Sequence, residues 1–201
     1  MKEIVHFGHP SLKIASTDVL EFDKDLKNLT DEMIQIMYDA PGVGLAAPQI
    51  GINKNIFVFD AGDGPKVAIN PHNLILEGSI TFMEGCLSIP STLTKPVRTI
   101  RASKVIVQTD NLGELTFEIN PEGDKANESI SKETMMTVIV QHEIDHLDGF
   151  TIKDRVYNTQ VVKKVDFGRN EKIVMKSKEG EMVEVKFKNA NKLFLQGYEI
   201  V

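Results

Sequence analysis

The sequence predicts an α+β fold in which short mixed and antiparallel strands pack around a central HExxH metal-binding helix, followed by a β-rich C-terminal appendage. Three observations predict it. From Asp23 to Tyr38 the apolar residues Leu26, Leu29, Met33 and Met37 recur at three and four, the period of an amphipathic helix. A second stretch, opening at Ser131 and closing at Gly149, carries Met135, Val138, Ile139, His142 and His146 at the same spacing. Between and beyond these two lie short apolar or alternating runs punctuated by Gly, Pro, Asn and Asp, the pattern of strands and tight turns.

Taken in order, the first helix ends before Pro41-Gly42. The segment Gly42-Val43-Gly44-Leu45-Ala46-Ala47-Pro48-Gln49 follows, a run of small residues that lets a backbone lie close to a substrate or another strand. Alone it reads as a Gly/Ala-rich loop or a tight helix-to-strand connection. It is not a phosphate loop, because both glycine-rich phosphate patterns are missing. Ile56-Phe57-Val58-Phe59 and Val67-Ala68-Ile69 read as strands about the turn Gly62-Asp63-Gly64-Pro65, and Asn70-Pro71 breaks the second. Lys104 to Thr109 and Glu114 to Ile119 alternate cleanly and form a hairpin; 120–130 is a polar loop. Ser131 caps the second helix, and Glu133 in its first turn suits the macrodipole. After Tyr157, Val183, Val185 and Phe187 alternate with Glu184, Lys186 and Lys188, predicting a hairpin about Glu179-Gly180 and a third strand from Leu193 to Ile200.

At 201 residues the chain is long enough for one well-buried core, and no Pro/Gly/Ser-rich linker divides it. The expected organisation is a catalytic domain over 1–157 and a basic β-rich extension over 158–201 packed on the same domain. A single cysteine forms no internal disulfide, and a thiolate ligand needs reducing conditions, so a cytoplasmic setting is expected. Neither a leader at Met1-Lys2-Glu3-Ile4 nor an apolar run approaching a membrane span is read, so a soluble, unprocessed protein with no membrane partner is expected. The net charge of −6 argues against a stable nucleic-acid complex. Residues 1–150 carry 12 Lys+Arg against 22 Asp+Glu, a net of −10, whereas 151–201 carry 11 against 7, a net of +4. A solvated face is the ordinary reading of such a tail.

The chemistry gathers at Glu84-Gly85-Cys86-Leu87-Ser88 and Gln141-His142-Glu143-Ile144-Asp145-His146. A helix advances about 100° per residue, so histidines four apart project from one face and can grip a single ion. Glu143 lies beside that face, placed to act as general base rather than as a ligand. Cys86 would be the third ligand, with Gly85 allowing close backbone approach, and a fourth tetrahedral position stays open, as in a catalytic site. Separately, an HExxH arises by chance and a lone cysteine is usually a small buried hydrophobe. Together they outline a metal site.

The three segments GVGLAAPQ, EGCLS and QHEIDHLDG stand in the order and approximate spacing of the signature motifs of the peptide deformylase family, which the chain resembles over roughly residues 1–155. The resemblance implies hydrolytic removal of the formyl group from N-formylmethionyl nascent peptides, releasing formate. It implies one divalent metal, Fe(II), with Zn, Ni or Co as replacements, held by Cys86, His142 and His146. Gln49 and the Leu87 backbone N–H would serve the developing oxyanion beside the base Glu143. Val43, Met135, Val138 and Ile139 would line the pocket for the substrate's methionine side chain, with Gly44 and Gly85 along the bound peptide. Glu84 and Arg98 would form a pair whose carboxylate orients a ligating histidine through its free ring nitrogen, with Asp145 as the local competitor.

Two departures from the family stand out. The arginine that many members carry seven residues after the metal cysteine is Leu93 here, and Lys95 offers a cation without an arginine's fork. The tail reads as β-structure where many bacterial members end in a long helix, and 120–130 is longer than the usual link. The cationic stretch from Lys163 to Lys192 would give an acidic body a weak, salt-dependent contact with the ribosome. A metallopeptidase of the HExxH type is the rival enzyme, but it would usually take a third ligand downstream, and no His follows His146. An inactive homologue is the rival non-enzyme, but Gln49 and Glu143 are both present and neither serves a structural site.

Overall fold

The computed structural model describes residues 2–89, 96–121, 130–156, 172–177, 179–186 and 199–200. Asp23 stands in extended backbone and accepts the Leu26 N–H at 2.8 Å, which starts helix α1, Lys24–Asp39. After Ala40 and Pro41 the Gly42 N–H returns to the Met37 carbonyl at 2.9 Å, and the chain enters the first sheet. That sheet is antiparallel in the order β1-β2-β3, with β1 Gly44–Ala46, β2 Ile56–Phe59 and β3 Lys66–Ile69.

Alternation along these strands builds two cores. Leu45, Ile56, Val58 and Ile69 face Met33, Ile36 and Met37 of α1. Ala46, Phe57, Phe59 and Ala68 belong to a second cluster with Met136, Ile139, Val140 and Ile144. A sheet covered on both faces needs apolar residues at every position, which explains the unbroken run Ile56-Phe57-Val58-Phe59, all of it buried. Truncating Phe57 or Phe59 to Ala would cost about 3–5 kcal/mol.

Those second-cluster residues from Met136 onward lie on helix α2, Lys132–Leu147, which Ser131 caps by accepting the Thr134 N–H at 3.2 Å. Every residue from Met136 to Leu147 is buried, so α2 is covered around its whole circumference instead of along one stripe. It also packs against β7, Lys104–Thr109, whose Val105 and Val107 join the same core, and β8, Gly113–Glu118, whose Leu115 and Phe117 pack against that core. With β4, His72–Glu77, they form a sheet of order β4-β7-β8. A two-stranded ribbon, β5 Ile80–Glu84 and β6 Val97–Arg101, leads to Cys86.

The chain separates into two compact units, Met1–Tyr157 and Asn158–Val201. In the second, β9 Lys172–Lys176 pairs with β10 Met182–Lys186 about a turn in which Gly180 has φ 93°, and β11 Glu199–Ile200 pairs with the other side of β9. The hairpin expected about Glu179-Gly180 is therefore present. The strand expected from Leu193 lies outside the described residues up to position 198, as do Leu93, Lys95, residues 122–129 of the polar loop, and Lys163, Lys164, Arg169, Lys178, Lys188 and Lys192 of the tail. Among the described residues no helix is long and apolar enough to cross a membrane.

Candidate metal centre

Cys86 sits just past β5, where the Ile89 N–H closes on the Cys86 carbonyl at 2.9 Å and turns the thiol toward α2. One helical turn separates His142 from His146, and their rings meet edge to face with centroids 5.0 Å apart. One ligand atom from each of Cys86, His142 and His146 lies within 4.8 Å of the others. The sulfur is 3.3 Å from His146 Nε2. A thiolate and two imidazoles at this separation fit a divalent ion of the zinc or ferrous type, with one tetrahedral position left over. Glu143 is buried beside them, and its Oε2 has no hydrogen-bond partner among the described residues. A buried carboxylate oxygen without a donor is costly, and at a reaction centre it is a seat for a proton.

Behind the histidines runs a chain of charges. Glu84 Oε2 lies 2.7 Å from His142 Nδ1, and Arg101 clasps both carboxylate oxygens, Nε to Oε1 at 2.6 Å and Nη2 to Oε2 at 2.8 Å. The Thr99 hydroxyl also donates to Oε1. Glu84 thus orients His142 through the ring nitrogen that faces away from the ligand cluster. Its partner is Arg101, which corrects the expectation of Arg98. In the β5–β6 register Glu84 lies opposite Val97, Phe82 opposite Thr99 and Ile80 opposite Arg101, so these six share the buried face. Arg98 lies opposite Met83 on the exposed face. Asp145 does not compete for His142; it accepts Arg101 Nη1 at 2.5 Å and forms the next link.

Burial by itself would raise the Glu84 carboxyl, but Arg101 and His142 outweigh it and bring its pKa to about 2. Burial likewise opposes a charge on His142, yet the Cys86 sulfur and Glu84 hold its pKa well above the usual value. Burial, reinforced by His142, pushes His146 well below it. Because the folded pKa of Glu84 lies below the unfolded value, its contribution is complete above pH ~4.5 and disappears as pH falls through about 2. In chelator-treated protein this pair should therefore lose about 3 kcal/mol over that window. Urea unfolding at several pH values checks this: Glu84→Gln should be less stable at pH 7 and show a flatter acid limb. An unchanged acid limb would contradict it.

The Gly/Ala segment supplies the opposite wall. The Ala46 N–H donates to Gln49 Oε1 at 2.8 Å, which fixes the amide so that Nε2 faces Cys86 Sγ at 3.7 Å and Ser88 Oγ at 3.4 Å. Gly44 passes so close to Glu143 that a Cβ there would meet its Oε1 at 2.3 Å and Ile139 at 3.0 Å. Leu87 is half-buried, with its Cδ1 covering Gly42. Ile139 and Val138 are buried, Met135 is half-buried against the core, and Val43 is 47% exposed. At Gly85 a Cβ would meet nothing within 4 Å among the described residues. The residues that sequence reading missed are Arg101, Thr99 and Ser88. The register of β5 on β6 is the signal that would have found the first two.

A mixed fold that brings a thiolate, two imidazoles and a buried carboxylate to one point defines a metal-dependent hydrolase. Comparison with known proteins narrows the class. The polypeptide deformylase family model matches residues 1–162. A peptide deformylase from Halothermothrix orenii is 40% identical over 156 residues, 77% of this chain and 92% of that one. One from Desulfitobacterium hafniense is 38% identical over 157 residues, 78% and 95% of the two chains. The crystal structure of the Thermotoga maritima peptide deformylase superposes with a TM-score of 0.64 at 34% identity, covering 79% of this chain and 99% of that one. A structure from Legionella pneumophila gives 0.65 at 32% identity, covering 80% and 88%. The chain belongs to the peptide deformylase family, and its reaction is removal of the N-formyl group from nascent polypeptides.

Proposed function

We propose that Cys86, His142 and His146 hold one divalent ion, Fe(II) natively and Zn, Ni or Co as replacements, and that Glu143 is the general base and acid of the deformylation. The observation that carries this reading is the buried, unpartnered Glu143 Oε2 beside three converging ligand atoms. When bound, the ion supplies a Lewis acid that makes a water nucleophilic near neutral pH. Glu143 Oε2 takes a proton from the water that attacks the formyl carbon and returns it to the departing amine. Burial raises the Glu143 pKa to about 7, which suits a group that must both accept and release that proton. Gln49 Nε2 and the Leu87 N–H donate to the oxygen on which charge develops. The clamp of Ala46 on Gln49 Oε1 supports this role, because only the amide nitrogen is left to face the site.

Val43, Met135, Val138 and Ile139 form the pocket for the methionine side chain, with the exposed Val43 at its mouth. Gly44 and Gly85 leave room for the peptide backbone. Formate release from formyl-Met-Ala-Ser should follow iron content in anaerobically purified protein, and the unformylated peptide should release none. Full turnover by chelator-stripped protein would overturn the metal assignment.

Residues 1–157 are the catalytic domain in this reading, supported by a family match that ends at 162. A thiolate ligand with no partner cysteine suits the reducing cytoplasm. The acidic body forms no stable nucleic-acid complex, and the net +4 of residues 151–201 supplies a weak contact with ribosomal RNA. Co-sedimentation with ribosomes at low and moderate salt, comparing the full chain with one ending at Asn158, checks the contact. Equal pelleting of the two would leave the tail as a solvated cover.

A further inference from the structure

The charge chain behind His142 does not stop at Arg101. The capping box of Thr151 and Asp154, with the Thr151 N–H on Asp154 Oδ2 at 2.8 Å, folds Ile152–Arg155 into a short turn directly after α2. Val156 then bridges to Thr99 on β6. Held there, Arg155 lays its fork on Asp145, Nε at 3.1 Å from both oxygens and Nη2 at 2.7 Å from Oδ1. The sequence of contacts is then Arg155, Asp145, Arg101, Glu84, His142. The Arg155 guanidinium also packs 4.9 Å from the Phe150 ring centroid.

We propose that Arg155 is a positioning residue of the metal centre, acting through Asp145 and Arg101 on the Glu84–His142 pair. Glu84 and Asp145 are two buried carboxylates, and Arg101 is the buried guanidinium between them. With His142 neutral, as a metal ligand must be, Arg155 supplies the second positive charge and brings these four to neutrality. Without it, Arg101 alone serves two carboxylates in a medium that screens poorly, and its hold on Glu84 weakens. Glu84 lies two residues before Cys86, and Asp145 lies between the two histidines, so the same links join the strand carrying one ligand to the helix carrying the other two. Loss of Arg155 therefore loosens both the orientation of His142 and the separation of the ligands.

The inference rests on the metal reading of Cys86, His142 and His146, and the test separates the two. Cobalt(II) is titrated into the metal-free full chain and followed by thiolate-to-cobalt charge-transfer absorption, with release to a chelator and thermal melting measured in parallel. Wild type should show that absorption and Cys86→Ser should not; no such absorption in wild type would remove the metal reading itself. Arg155→Met should bind cobalt about 10-fold more weakly, at the lower end of what loss of an outer-shell partner costs. The double variant Asp145→Asn/Arg155→Met, neutral again, should regain most of that affinity. Where Arg155→Met does not fold, Arg155→Gln takes its place with the same expectation. A variant that melts earlier but binds cobalt with wild-type affinity and spectrum would overturn the proposal and leave Arg155 a purely structural residue.

Discussion

Glu143→Gln is expected to leave the metal content unchanged and to lower kcat by about 10²–10⁴-fold, the usual share of a general acid-base residue. Cys86→Ala, in contrast, is expected to empty the site. In the proposed mechanism the work is divided: ligation falls to the sulfur and the two imidazoles, whose candidate ligand atoms lie within 4.8 Å of one another. In the same mechanism proton transfer falls to a carboxylate whose Oε2 has no hydrogen-bond partner among the described residues. Glutamine has the same shape and cannot take a proton. It should also fold normally, because burial already brings the Glu143 carboxyl to a pKa of about 7, close to tolerating the neutral form. Metal analysis of both variants beside formate release decides the matter. Equal metal loss in the two would mean that Glu143 is a ligand or a principal support of the site.

Gly44→Ala is expected to be nearly as damaging although it removes nothing. The added Cβ would stand 2.3 Å from Glu143 Oε1, 2.9 Å from Cδ and 3.0 Å from Ile139 Cγ2. Ile139 cannot retreat, since it is packed in the core with Ala46, Phe57 and Val140. The carboxylate must therefore move, and a displacement of about 1 Å at a reacting group can cost on the order of 10²-fold in rate. Overpacking adds a stability loss of about 1–3 kcal/mol. The expected variant retains metal, melts earlier and turns over slowly. Gly85→Ala is the control for stability, because a Cβ there meets nothing within 4 Å among the described residues and should leave the melting temperature unchanged. Wild-type kcat in Gly44→Ala would show that the position of the carboxylate is not limiting.

Much of this architecture is legible in the order of residues. The apolar period from Asp23 to Tyr38 and the cap at Ser131 announce the two helices, and the run Ile56-Phe57-Val58-Phe59 and the alternation of 104–119 announce their strands. These are local signals, set by capping and by the periods of helix and strand. The three candidate ligands are legible for the same reason: His142 and His146 are one helical turn apart, and the motif around Cys86 completes them. The ribbon of β5 and β6 is not legible, because patterning assigns charged residues to the outside, and here Glu84 and Arg101 point inward together. The patterning of α2 by itself also does not show that Gln141, Glu143 and Asp145 are buried along with its apolar residues.

Which arginine meets Glu84 is a matter of tertiary structure alone. Arg98 and Arg101 are both cations within reach of a metal cysteine along the chain, and no local rule separates them. Strand parity does: one residue of register exchanges the buried face for the exposed one. The partner of His142 is settled the same way. Asp145 is three residues away along the helix and Glu84 comes from another strand, yet Asp145 is drawn off by Arg101 and Arg155. The sequence by itself determined which residues could carry the chemistry, because ligand type and helical spacing are local properties. Only the tertiary structure decided which charges neutralise which, because that depends on faces and registers brought together from distant parts of the domain.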